Sequence, residues 1–231
     1  MVKAPGGSSR CYGMVYFTNE ERCTYLEKCR FGRWQPDLIH VQSMLTEDQL
    51  NAYILTGGSS RRFGSDKAVC MINGTTFIDK IFNTIQGDFI HTYSVGKKPY
   101  SGKMEFLPDF SDCQAAMVGI ITALRHTSSP WNFIISVDTP YITSDVIDTL
   151  KKEAVGRDNI VIPSVNGRIF PLCGFYHQNC LIHFEKAFSV DNYTLTDVIS
   201  PLNPEVVDLS HFSMELTNIN TQKQLHQVIN N

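Results

Sequence analysis

The chain is defined first by what it lacks. None of its 231 residues fall in an apolar run of about 18, the length a membrane-spanning helix needs. Residues Met1 to Gly7 carry no apolar stretch of the signal-peptide kind, so the expectation is a cytoplasmic protein with no membrane partner. There is no excess of positive charge: the formal net charge is −3, which argues against a strongly electrostatic nucleic-acid binder. No C-x-x-C pair occurs among the 7 cysteines, and their number is odd. Reduced, scattered thiols are therefore expected. Cys23 and Cys29, with Cys11 and His40 in the same segment, leave a zinc site open as an alternative, although their spacing is unlike the common zinc frameworks. The 7 histidines form no H-x-x-x-H pair and give no general-base signal.

What is present is concentrated in Ile54–Lys67. A short apolar run, Tyr53 to Leu55, breaks into a glycine-rich turn with two arginines and ends in Asp66-Lys67. Glycine lets the backbone approach an anion closely and adopt positive φ. Successive backbone N–H groups then form a concave anion site, and arginine and lysine supply the charge a triphosphate requires. Gly57, Gly58, Arg62, Gly64 and Lys67 lie within one short stretch, which favours a phosphate loop over a strand–turn with a solvated basic patch. Two well-known loops are excluded. Walker A ends in Gly-Lys-Ser/Thr, whereas Lys67 follows Ser65-Asp66, and G-x-G-x-x-G is absent.

The rest of the chain alternates strand and helix. Strands are expected at Ala52–Leu55, Phe89–Val95, Met104–Leu107, Asn132–Val137, Asn159–Pro163 and Ile169–Tyr176. Phe77, Ile81, Phe82 and Ile85 share one face of a helix over Thr76–Gln86. Further helices are expected from Met117–Leu124, Ser144–Ala154 (capped at Thr143 or Ser144), Asn179–Phe188, Thr194–Ser200 and Gln222–Ile229. Asn166-Gly167 is a hairpin signal. This order predicts a doubly wound α/β fold, a three-layer sandwich around a mostly parallel sheet. Residues 1–50 differ in composition and read as an extension of unknown role, with a short helix expected at Thr18–Cys29. Residues 51–231 read as the main domain.

In such a sheet, ligands bind beyond the carboxyl ends of the strands. Ile134-Ile135-Ser136-Val137-Asp138-Thr139-Pro140 is a buried-type strand that ends in an acid at that mouth. A carboxylate beside a triphosphate needs a bridging cation, and magnesium is the expected one. The alternative is that Asp138 caps the following turn. Asp109, after Leu107-Pro108, reads on its own residues as a Pro-Asp turn. Lys97-Lys98-Pro99 serves the base or is a solvated turn.

Leu55-Thr56-Gly57-Gly58-x-Ser60-x-Arg62-Phe63-Gly64-x-Asp66-Lys67 resembles the signature of nucleotidyltransferases with a Rossmann-like fold. Within that group it is most similar to the molybdenum cofactor guanylyltransferases, the MobA type, which read Leu-Ala-Gly-Gly-x-Ser-x-Arg-Met-Gly-x-Asp-Lys. Thr56 and Phe63 depart from that pattern. Asp138-Thr139-Pro140 resembles the family's Cys-Asp-x-Pro, with Val137 for the cysteine. Gly119-Ile120 with Ala123-Leu124 resembles Gly-Pro-Leu-Ala-Gly-Ile-x-x-Ala-Leu, with Ala115-Ala116 where Gly-Pro is usual. Pro171-Leu172-Cys173-Gly174-Phe175-Tyr176 and Asn218-Ile219-Asn220-Thr221 resemble two further family segments.

The resemblance covers Ala52 to Ile229 and implies transfer of GMP from GTP to molybdopterin, with pyrophosphate released. It implies catalytic roles for Arg62, Lys67 and Asp138, and nucleotide contacts at Leu55, Thr56, Gly57, Gly58, Lys67, Asp109 and Asp138. The acceptor side falls on Gly119, Pro171, Asn218 and Asn220, with Asp138 as the Mg²⁺ ligand. One asparagine of Asn218-Ile219-Asn220, or Thr221, caps the last helix while the other asparagine faces the cleft. Transient contact with molybdenum cofactor proteins is also implied. Two alternatives stay open at this point: a cytidylyl or other transferase of the same fold, and a non-catalytic GTP-binding module.

Overall fold

The computed structural model describes residues 50–57 and 66–229. Gly58, Arg62, the Thr18–Cys29 helix and the Cys11, Cys23, Cys29 and His40 group lie outside the described residues. In chain order the elements are β1 (Asn51–Leu55), β2 (Met71–Ile72), β3 (Thr75–Thr76), α1 (Phe77–Ile85), β4 (His91–Gly96), β5 (Glu105–Pro108), α2 (Ala116–His126) and β6 (Trp131–Ser136). There follow α3 (Ser144–Ala154), β7 (Ile160–Val165), β8 (Arg168–Ile169), β9 (Cys173–His177), α4 (Leu181–Ser189), α5 (Leu195–Ile199), β10 (Glu205–Asp208) and α6 (Gln222–Ile229). Short 3₁₀ turns join several of them, including one at Lys67–Val69.

The main sheet runs β10-β7-β9-β6-β1-β4-β5, with β8 paired to β7. β1 pairs in parallel with β4 and β6, β4 with β5, and β10 with β7. β9 pairs antiparallel with both β6 and β7. The sheet is thus mostly parallel with one reversed strand on its main path. β1 sits near the middle and every one of its residues is buried. Its alternate residues serve opposite faces. Ala52 and Ile54 pack with α1 and α3, through Phe77, Ile81, Ile147 and Leu150. Tyr53 and Leu55 pack with α2, α4 and α5, through Met117, Ile120, Phe184 and Val198. Helices therefore cover both faces, giving the expected three layers. Burying each such aliphatic or aromatic side chain contributes about 1.5–3 kcal/mol.

Three local expectations are corrected. The stretch Ile169–Tyr176 is not one strand: it is cut into β8 and β9. Pro171 has no N–H to give to a ladder, and the chain turns there, Cys173 N–H donating to the Phe170 carbonyl at 3.1 Å. The hairpin at Asn166-Gly167 stands, with φ of 51° and 78°. Strand β10 is absent from the sequence reading because Glu205–Asp208 is short, half-exposed and at the sheet edge. Thr143 does occupy the cap position of α3 but makes no side-chain cap hydrogen bond. Ser144 Oγ instead donates to Asp88 Oδ2 at 3.1 Å.

Candidate active site

Strand ends bring the site together. Val137 N–H donates to the Leu55 carbonyl at 3.0 Å, so the carboxyl ends of β1 and β6 are level. Thr56 N–H donates to the Val95 carbonyl at 2.8 Å, and Thr56 Oγ donates to the same oxygen at 2.9 Å. This pins the start of the glycine-rich segment to β4. A Cβ on Gly96 would come 2.2 Å from Thr56 Oγ1, so threonine at 56 requires glycine at 96. Gly57 leaves room on the other side: a Cβ there would meet Asp109 Oδ2 at 3.5 Å.

Lys67 opens the 3₁₀ turn. Asp66 caps that turn, accepting from Ala68 N–H at 3.4 Å. The Lys67 ammonium lies 3.6 Å from Asp138 Oδ2, and the two side chains are only 15% and 17% exposed. It also donates to Asn220 Oδ1 at 2.6 Å. Asp138 Oδ1 is buried with no hydrogen-bond partner among the described residues. Asp138 therefore does not cap the turn that follows it through that oxygen, and its second oxygen faces a lysine. Charge-assisted contacts of this kind are the stronger ones.

The C-terminal segment is anchored beside them. Ile219 N–H donates to the Asp138 carbonyl at 2.8 Å, and Thr139 Oγ donates to Asn218 Oδ1 at 3.0 Å. Thr221 caps α6, its Oγ1 accepting from Gln224 N–H at 3.2 Å. Gln224 returns the favour, accepting from Asn220 N–H at 2.8 Å. This resembles a capping box. Of the two asparagines, then, neither caps by its side chain: one holds Thr139 and the other holds Lys67.

A cleft opens at the same edge of the sheet. Leu55, Gly57, Lys97, Asp109, Gly119 and Ser136 are among its walls. Gly119 is tight: a Cβ would come 3.0 Å from Leu55 Cδ2, so glycine lets α2 approach β1. Asp109 is 6% exposed at the side chain, and Lys97 Nζ lies 3.7 Å from its Oδ2. Burial holds the Asp109 carboxyl above its ordinary range, and Lys97 opposes that shift. Lys97 also reaches Asp112 at 3.6 Å and donates to the Ser111 carbonyl. It is the anchor of a turn and a wall of the cleft at once. Pro171 lies between β8 and β9, its carbonyl accepting from the buried Tyr176 hydroxyl, and its neighbour Leu172 lines the cleft.

The sequence reading missed Tyr100, whose hydroxyl donates to Asp66 Oδ2 at 2.5 Å, and the Thr139–Asn218 contact. Neither carries a local pattern; only the fold brings the partners together.

No group of three or more His, Cys, Asp or Glu side chains forms a metal cluster among the described residues. No described helix is long and apolar enough to cross a membrane. Cys113, Cys173 and Cys180 are free thiols. Burial pushes the Cys173 and Cys180 thiols up to about 12.

The site lies in a doubly wound sheet, with a glycine-rich sequence after its first strand and a lysine–aspartate pair at the strand ends. Residues 52–204 match the MobA-like NTP transferase domain, and the chain belongs to that family. It is 28% identical over 195 residues to a probable molybdenum cofactor guanylyltransferase of Natranaerobius thermophilus, covering 78% of this chain and 95% of the relative. It is 28% identical over 190 residues to the molybdenum cofactor guanylyltransferase of Desulfosudis oleivorans, covering 78% and 94%. Among solved structures, the molybdopterin-guanine dinucleotide biosynthesis protein A of Archaeoglobus fulgidus shares the fold. Its TM-score is 0.67 at 21% identity, with 78% of this chain and 97% of that chain covered.

Proposed function

We propose that this chain transfers GMP from GTP to the terminal phosphate of molybdopterin, forming the guanine dinucleotide and releasing pyrophosphate. The observation that carries the proposal is the meeting of Lys67, Asp138 and Asn220 at the carboxyl edge of the sheet. The names of the relatives support the choice of substrates.

In this reading the acceptor phosphate attacks the α-phosphorus in line, and no covalent enzyme intermediate forms. The residues act by position and charge. Gly57 and Gly58 let the backbone come close to the nucleotide. Lys67 and Arg62 neutralise the triphosphate and the leaving pyrophosphate. Leu55 and Thr56 form the floor, and Asp109 faces the nucleoside end of the cleft. Asn218 and Asn220, with Pro171 and Gly119, border the acceptor side.

Asp138 fits a magnesium ion: one of its oxygens is buried without a partner among the described residues, and a hard cation takes carboxylate oxygen. A single carboxylate is enough where phosphate oxygens and water complete the shell. Magnesium bound there would supply charge neutralisation at the reacting phosphate. Asp138 and Lys67 hold opposite charges side by side, so a lysine for phosphate and a carboxylate for the cation are poised in one place.

The test is a transfer assay. Purified protein is incubated with GTP, Mg²⁺ and molybdopterin, and the dinucleotide is separated by chromatography. Formation of molybdopterin guanine dinucleotide with equimolar pyrophosphate supports the proposal. Formation of a different dinucleotide with CTP or ATP assigns a sister activity, and nucleotide binding without any transfer makes the chain a binding module.

A further inference from the structure

The connection between β4 and β5 crosses over the turn that carries Lys67, and four of its residues, Lys98, Tyr100, Ser101 and Lys103, contact acids of the segment below. Tyr100 Oη donates to Asp66 Oδ2 at 2.5 Å. Lys98 Nζ lies 3.3 Å from the same oxygen and 5.1 Å from the centre of the Tyr100 ring. One turn further on, Ser101 Oγ donates to Asp79 Oδ1 at 2.8 Å, and Lys103 Nζ lies 3.6 Å from that oxygen. Asp79 is in the first turn of α1, which follows the Lys67 turn in the chain. The strap is thus fastened at both ends of residues 66–79.

Asp66 is the hinge of this arrangement. One of its oxygens accepts from Ala68 N–H and so shapes the 3₁₀ turn that begins at Lys67. Its other oxygen is held by the phenol and an ammonium. The Tyr100 ring packs against the buried cluster that contains Ala68 and Phe77, so the phenol approaches from a fixed direction. Burial and the neighbouring carboxylate hold the phenol proton on, above the ordinary tyrosine range, which keeps it a donor throughout the neutral range.

We propose that Tyr100 is a positioning residue for phosphate handling: through Asp66 it fixes the turn that aims the Lys67 ammonium into the site. This rests on the reading that Lys67 meets the triphosphate. Tyr100 is not among the described residues that line the cleft and its hydroxyl is bonded to Asp66, so its effect on catalysis runs through Asp66.

The experiment is a double-mutant cycle in the full chain with Y100F, D66A and the double variant. Phenylalanine keeps the ring and its packing and removes only the donor. Turnover is measured with whichever of GTP, CTP or ATP the wild-type protein uses, well below every variant's Tm, and is normalised to folded protein. The expected result is a loss of about tenfold in kcat for Y100F, the scale of one hydrogen bond to a charged group. That loss disappears in the D66A background, because the partner through which it acts is gone. An equal loss in both backgrounds, or a lower Tm with turnover per folded molecule unchanged, overturns the proposal. A wild-type preference for CTP or ATP overturns the guanylyl reading alone, since the cycle is then read with that nucleotide.

Discussion

The Lys67 ammonium donates to Asn220 Oδ1 at 2.6 Å, joining a turn that follows the first strand to a segment 153 positions later. The same ammonium lies 3.6 Å from Asp138 Oδ2. Three segments far apart in sequence are therefore tied by one cation. In the proposed reaction a triphosphate would compete for that cation with a neutral amide and a carboxylate. A magnesium ion on Asp138 would relieve the second competitor.

Lys67→Ala is expected to lower turnover by about a hundredfold, the scale of removing one preorganised charge from a reacting group. The loss of stability is expected to be smaller than the loss of turnover: Asp138 loses its counter-charge, but Lys67 is outside both buried clusters. Steady-state kinetics beside circular-dichroism melting checks this. Unchanged turnover removes the role assigned to Lys67.

Gly96→Ala is expected to destabilise the fold by about 1–3 kcal/mol, the usual cost of overpacking. Its Cβ would come 2.2 Å from Thr56 Oγ1. Thr56→Ala removes that atom, so the double variant recovers most of the loss. Urea unfolding of the four proteins measures it. An equal loss with and without Thr56 means the clash is not the cause.

Asp109→Asn tests a pH dependence. Burial raises the Asp109 carboxyl above its ordinary value of 3.8. The native state therefore binds that proton more tightly than the unfolded state, and the group's contribution to stability falls as pH rises from the ordinary value through the raised one. Asparagine carries no such penalty. The Tm of Asp109→Asn relative to wild type is thus expected to be higher at pH 7 than at pH 4, while nucleotide binding weakens. A Tm difference that does not change with pH contradicts the burial cause.

Cys173 and Cys180 are buried, and their thiols are pushed up to about 12. Thiolate is the reactive form. At pH 7.5 neither is expected to react with a thiol reagent in the native protein, and both react after unfolding in guanidinium. Peptide mapping after alkylation distinguishes the sites. Rapid native labelling at Cys173 means that β9 opens.

Much of this was legible in the sequence because it was carried by local chemistry. The strand expected at Asn132–Val137 showed as a largely apolar, β-branched run and is found at Trp131–Ser136, and α1 showed as a spaced apolar face. The expected spans of α3 and α6 agree with those found. Asp138 and Lys67 stood out as an acid and a base beside strand ends, and the fold does bring them together. What stayed hidden depends on distant partners. β10 has two half-exposed and two exposed edge residues and no signal of its own until β7 is there to pair with. Tyr100 looks like any loop tyrosine until Asp66 lies beneath it. The asparagines were legible as polar cleft residues, but only the return of the C-terminal segment shows that Asn218 holds Thr139 and Asn220 holds Lys67.

The central claim is that Asp138 and Lys67 form the phosphate end of a guanine nucleotide site. Titration calorimetry with GTP, CTP and ATP, each with and without Mg²⁺, tests it most directly on the wild-type protein and on Asp138→Ala. The account predicts selective binding of GTP that Mg²⁺ strengthens and that Asp138→Ala abolishes. GTP binding that is equally strong without Mg²⁺ and in Asp138→Ala would contradict it.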